Sequence, residues 1–131
     1  MTDSAISRKL FDRTFSFIER SLDIRTLNHK VLSANIANAE SPDYRVREVP
    51  FQRVLEKTLA GVMNIGLKRT HPQHIFEAMD SDPDVETTTE AVNIDREMAK
   101  LAENNIMFQA GVQMLVKKFE TLQFTITDLG R

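Results

Sequence analysis

His71 and His74 form an H-x-x-H pair, the spacing that places two imidazoles on one side of a turn or helix. A metal held there would need further ligands in a rigid frame. The nearest carboxylates downstream, Glu77 and Asp80, fall at the edge of an acidic stretch. Asp80, Asp82 and Asp84 open like a calcium loop, but the sixth position is Val85 instead of glycine and the twelfth is Ala91 instead of glutamate, which excludes that loop. His29 lies between Arg25 and Lys30 in a helical pattern and reads as a surface or interface residue. The sequence has no P-loop, no GxGxxG and no nucleophile motif. With no cysteine, disulfide and thiolate chemistry are excluded as well. The expectation is a chain with no catalytic residue, no metal and no cofactor, whose function lies in its surfaces.

The totals agree with that reading. The 131 residues make one domain or a fraction of one, and a formal charge of −2 offers no field for nucleic acid. No apolar run is long enough to span a bilayer, and the first residues lack the apolar core of a secretory signal.

The strongest pattern runs from Ala91 to Leu129. Ala91, Ile94, Met98, Leu101, Asn105, Phe108, Val112, Leu115, Phe119, Leu122, Ile126 and Leu129 alternate three and four apart, and eleven of these twelve are apolar. This is a heptad seam, with a positions at Ala91, Met98, Asn105, Val112, Phe119 and Ile126 and d positions at Ile94, Leu101, Phe108, Leu115, Leu122 and Leu129. Such a seam needs a partner helix. Asn105 is its one polar member, and a buried amide at an a position would fix register and partner number. Gly111, beside the seam, suits a close approach by a neighbour. Ile106, Met107, Met114 and Val116 widen the apolar surface, so contacts on more than one face are expected. Thr87 and Glu90 have the spacing of a capping box and predict the helix start, and Gly130 a stop.

A second amphipathic pattern occupies the N-terminal part. Phe11, Phe15, Ile18 and Leu22 share one side; from Ile24 the phase changes, and Ile24, Leu27, Val31, Ala34 and Asn38 continue as a second run. The break near Asp23 reads as a stutter, a kink or two helices in line. Antiparallel packing of residues 24–38 on part of the C-terminal seam is the simplest closure.

Residues 33–44 read SANIANAESPDY. Asn35 and Asn38, three apart, share a helix face and have strong local hydrogen-bonding capacity. Pro42 ends the helix. A turn over Ser41–Tyr44 fits type I without strain, whereas type II would require positive φ at Asp43. NIANAESPDY resembles the N-terminal signature A-x-N-I-A-N-x-x-T-P-G-Y of the bacterial flagellar axial proteins, through Asn35, Ile36, Ala37, Asn38, Pro42 and Tyr44. Ser41 stands where that family has Thr, and Asp43 where it has Gly. The short length, Phe51 after the turn, the Thr70…His74-Ile75 segment and V-N-I-D-R-E at Val92–Glu97 are similar to the basal-body rod proteins of that family, and among them most like the proximal rod subunit.

The resemblance implies a structural subunit that polymerises through its terminal helices into the axial drive-shaft tube. It implies contact with other copies of itself, other rod proteins, the MS ring and the FliE hook–basal-body protein. It further implies export through the flagellar type III apparatus without a cleaved signal, and residence in the periplasmic part of the basal body. The expected interface residues are Asn35, Ile36, Asn38, Pro42 and Tyr44 near the turn, and Ile94, Met98, Leu101, Asn105, Phe108, Val112, Leu115, Phe119 and Leu122 along the seam. No nucleic acid or small-molecule substrate is expected.

Between the helical segments, Val46 and Val49 sit in an extended pattern, and Pro50 can open a short helix with the stripe Phe51, Val54, Leu55 and Leu59, ended by Gly61. Val62–Leu67 is a candidate strand. Residues 77–90 hold six acidic side chains and no basic one, predicting a solvated, mobile loop, ordered only beside a basic neighbour. The expected fold is therefore mainly α. A helix-and-turn segment (1–44) and a heptad helix (87–131) form a coiled-coil-like pair around a small irregular insert (45–86) with a short helix and a short β segment. The competing functions are a soluble coiled-coil adaptor or chaperone, which explains the heptads but not the Asn–Asn–Pro–Tyr signature, and a metal-dependent enzyme using His71 and His74.

Overall fold

The structure, a computed structural model, describes residues 2–62 and 82–129. Two 36-residue helices, α1 (Thr2–Ala37) and α3 (Ile94–Leu129), dominate it. Each is about 54 Å long at ~1.5 Å per residue. Between them in sequence come β1 (Arg47–Glu48), α2 (Phe51–Val62) and β2 (Glu86–Thr87). The expected coiled-coil-like pair and small insert are both present. His71, His74, Glu77, Asp80, residues 63–67 of the candidate strand and Gly130 lie outside the described residues.

The two long helices run antiparallel. Going down α1 and up α3, Asn35 meets Glu97, Asn28 meets Asn104, Leu22 meets Gly111 and Phe15 meets Phe119. At Gly111 a methyl group would sit 2.9 Å from Leu22 Cδ2, so the glycine allows the helices to approach. The close neighbour expected at Gly111 is therefore this chain's own α1.

The change of phase near Asp23 does not interrupt α1, which is one continuous helix. It marks a change of partner. Phe15, Ile18 and Leu22 lie on the side that meets α3. Ile24, Leu27 and Val31 lie on another side and join Val49, Phe51, Val54, Leu55 and Val85 in the small core under the insert. An apolar stripe turns around a straight helix when a second element takes over its burial.

The insert is built from a two-residue antiparallel ladder, Arg47 opposite Thr87 and Glu48 opposite Glu86. It is extended by Val46 N–H donating to Glu90 O (3.0 Å) and Thr88 N–H to Val46 O (2.8 Å). The extended segment expected around Val46 and Val49 is this strand. The α2 helix begins at Phe51, with the Pro50 carbonyl accepting from Val54 N–H, and Gly61 lies within it instead of ending it. The acidic stretch is not a free loop over residues 82–90. Asp84 pairs with Lys57 at 3.0 Å, Glu86 pairs with Arg53, and Val85 packs on the core. The basic neighbour is α2.

The capping box at Thr87 and Glu90 is not formed. Thr87 is held in β2, and the Val46 bond to Glu90 keeps the chain extended. The helix starts seven residues later than Thr87, where Asn93 Oδ1 accepts from Arg96 N–H at 3.1 Å. Asparagine is among the best residues at that position, and ladder pairing had already claimed the earlier cap. Ala91 is consequently outside the helix and exposed.

Candidate functional site

The NIAN segment sits at the junction of α1, β1 and α3. Asn35 is fully buried and uses all of its hydrogen-bonding capacity. Its Nδ2 donates to Arg47 O (2.8 Å) and to Glu97 Oε2 (2.7 Å); its Oδ1 accepts from Arg47 N–H (3.1 Å) and from the Tyr44 hydroxyl (3.1 Å). One amide thus pairs both backbone groups of Arg47, as a neighbouring strand would, while bonding a side chain of α3. An amide is the side chain that offers donor and acceptor side by side in this way.

Asn38 has a different task. It lies just beyond α1, where its backbone N–H and its Nδ2 both donate to Ala34 O, at 3.0 and 2.8 Å. It closes the helix end, so within the chain the two asparagines have different partners. Ile36 and Tyr44 are half-buried and Pro42 is exposed. The turn bond runs from Tyr44 N–H to Ser41 O at 3.4 Å, and Asp43 has φ 61°. The unstrained type I turn is therefore not adopted; Asp43 takes the left-handed conformation that the axial-family glycine occupies freely. Aspartate tolerates it better than most residues, at a cost of about 1 kcal/mol. Replacing exposed Asp43 with glycine should raise stability by up to about 1 kcal/mol, read as an upward shift of the urea midpoint without a change in slope.

Glu97 extends the polar cluster. The residue is 1% exposed. Besides Asn35, it pairs with Lys100 Nζ at 3.1 Å, and Lys100 reaches Glu48 at 2.6 Å. Residues of α1, α3 and β1 are tied together by this chain of bonds. Burial pushes the Lys100 ammonium pKa down, but the hydrogen bonds to Glu48 and Glu97 outweigh it and raise the pKa above the usual lysine range. A cation stabilised by folding supports the fold fully below its ordinary value, about 10.4. That support is lost as pH rises through the raised native value. Urea midpoints should therefore fall from pH 9 to pH 11, and fall less in Lys100→Arg, which keeps its charge.

Along α3, the packed face is displaced from the a/d seam. The d positions Leu101, Phe108, Leu115 and Leu122 are half-buried on the side of α1. The positions that join them inside are Glu97, Asn104 and Gly111, the g positions of the same heptads. The a positions turn outward: Met98 is 51%, Phe119 56% and Ile126 71% exposed, with Val112 half-buried. Ile94, a d position at the helix start, is also exposed.

The buried amide is accordingly Asn104, 3% exposed, and not Asn105, which is exposed. Asn104 Nδ2 donates to Arg25 O at 2.9 Å, and its Oδ1 accepts from Asn28 Nδ2 at 3.2 Å and Arg25 Nη1 at 3.4 Å. The α1–α3 interior near the turn is thus closed by polar pairs, because α1 presents Arg25, Asn28 and Asn35 there. Apolar periodicity passes over Glu97 and Asn104. The available signal was their spacing of seven, with Gly111 seven further on.

Among the described residues, nine of the ten large apolar side chains that remain exposed lie on α3, from Ile94 to Ile126; the uncovered apolar surface described is therefore chiefly that helix's. Among the described residues, no group of three or more His, Asp or Glu could hold a metal, and no helix is long and apolar enough to cross a membrane.

A latched helical hairpin with its apolar stripe outside is an assembly subunit in form, and its relatives are flagellar basal-body rod proteins. The chain is 31% identical over 127 residues to the flagellar basal body rod protein FlgB of Bacillus subtilis strain 168, covering 90% of this chain and 96% of that one. It is 27% identical over 126 residues to FlgB of Buchnera aphidicola, covering 88% and 95% of the two chains. It is 28% identical over 118 residues to FlgB of Salmonella typhimurium, covering 79% and 86%. No family model matches the chain. The chain belongs to the family of the flagellar basal body rod protein FlgB.

Proposed function

We propose that this chain is a structural subunit of the proximal rod of the flagellar basal body, and that its assembly is driven by covering the outer stripe of α3. The observation that carries the reading is the separation of two seams on one helix. The d/g seam is satisfied within the chain, while the a positions Met98 and Ile126 stay exposed, as does more than half of Phe119 beyond its edge contact with Phe15.

Magnitudes favour an array over a pair. A fully buried large apolar side chain contributes ~1.5–3 kcal/mol. Half-exposed side chains have roughly half of that still to gain, so covering all nine on α3 is worth on the order of 10 kcal/mol. Association itself costs about 4–15 kcal/mol. A single neighbour, covering one side, is marginal; several neighbours around α3 are sufficient. Heterologous contacts of this kind propagate into helical arrays instead of closing as dimers. The lone chain is then a monomer, and the tube forms where its neighbours are already in place.

The neighbours in this reading are other copies of the chain, other rod proteins, the MS ring and the FliE protein. The route is type III export without a cleaved signal, to the periplasmic section of the basal body. A hairpin closed near its turn by polar pairs and a small core suits a chain that must travel unfolded. The test is fractionation: the chain should copurify with isolated basal bodies, and its deletion should leave cells without rods. Recovery only from cytosol, with rods intact in the deletion strain, would remove the proposal and return the soluble adaptor.

A further inference from the structure

One groove of the hairpin is lined by cationic residues near the turn end of α1. Thr26, His29 and Lys30 of α1 face Asn105 and Phe108 of α3 across a cavity of about 290 Å³, with Arg25 and Asn104 between them. It opens on the side of α3 that carries the a stripe. No acidic side chain lines it among the described residues, and no described carboxylate lies within ion-pair distance of Arg25 or Lys30. The Arg25 guanidinium is held in place, stacked 4.3 Å from the Phe51 ring centroid and bonded to Asn104. The groove therefore has Phe108 flanked by the amides of Asn104 and Asn105 on α3 and a cationic wall on α1.

We propose that this groove seats an amphipathic helix with an acidic flank, contributed by a different chain. An apolar stripe would lie on Phe108 beside Asn105 while carboxylates along one edge face Lys30 and Arg25. A second copy using its own a stripe matches poorly: of the adjoining e positions Asp95, Ala102, Gln109, Val116 and Gln123, only Asp95, at the helix start, is acidic. The proposal rests on the reading of α3 as an assembly surface and adds the chemistry of one neighbour. Burial of Arg25 also lowers its pKa, with the Glu103 charge opposing from a distance, as expected of a cation short of a close counter-charge.

The test uses the full-length chain and synthetic 21-residue helical peptides with leucine at a and d and Glu, Gln or Lys along the flanks, followed by fluorescence anisotropy at low salt. The Glu-flanked peptide should bind about tenfold more tightly than the Gln-flanked one, and the advantage should shrink with salt. In Lys30→Glu, an exposed position whose helicity is checked by circular dichroism, the order should reverse in favour of the Lys-flanked peptide. Equal binding of the Glu and Lys peptides, or an unchanged order in Lys30→Glu, would overturn the proposal. So would self-association of the wild-type chain that Lys30→Glu abolishes, since a second copy would then occupy the groove. No flagellum enters the assay, so its failure leaves the fractionation result standing, and the reverse.

Discussion

Asn35→Ala should destabilise the chain by about 3–4 kcal/mol, the largest effect expected of any single side chain in the turn. The amide makes four hydrogen bonds while fully buried. Its removal takes a hydrogen-bond partner from the Arg47 N–H and C=O and from one oxygen of buried Glu97. Each unsatisfied buried group costs ~1–3 kcal/mol, more for a charged one, against a total stability of order 5–15 kcal/mol. Asn35→Asp keeps the shape but turns Nδ2 into an acceptor facing two other acceptors, and should be at least as harmful at neutral pH. Asn38→Ala should cost only about 1 kcal/mol, because it loses one short bond at a helix end and one long, exposed bond from Ser41. Urea unfolding of the three variants checks the order. Similar losses for Asn35→Ala and Asn38→Ala would mean that the buried amide does not organise the junction.

Replacing Met98 and Ile126 together with lysine should abolish swimming while leaving the isolated chain folded. These side chains are 51% and 71% exposed, so charge there costs the monomer little, within about 0.5 kcal/mol per site. In an array the same sites would bury two unpaired ammonium groups, a penalty of several kcal/mol each that no modest interface can absorb. Leu115→Asp is a different experiment. Leu115 is half-buried toward α1, so an aspartate there would loosen the hairpin itself. Melting curves and swim-plate assays together separate the two. The account requires an unchanged melt with lost motility for Met98/Ile126, and a lowered melt for Leu115.

Much of this architecture was legible in the residues. The heptads placed α3 and required a partner, the N-terminal stripe placed α1, and SANIANAESPDY located the turn and the family. What periodicity could not supply was the angular setting of α3. A count of apolar spacing assigns the apolar stripe to the inside, and here the inside is partly polar because Asn35, Asn28 and Arg25 select Glu97 and Asn104 as partners. The turn shows a related effect. Sterics favour negative φ at Asp43, but in the folded chain, where Tyr44 bonds Asn35, Asp43 takes the left-handed state. Likewise Thr87 is a sound cap locally, until β1 pairs with it. In each case a contact distant in sequence overruled a local preference.

The central claim is that the a side of α3 is open on the lone chain and covered in the rod. Because the sequence has no cysteine, a single Met98→Cys substitution gives a clean reporter in a strain that still swims. Maleimide labelling should be fast on the purified chain and strongly suppressed on intact basal bodies, recovering when they are dissociated. Equal labelling in both states would contradict the account.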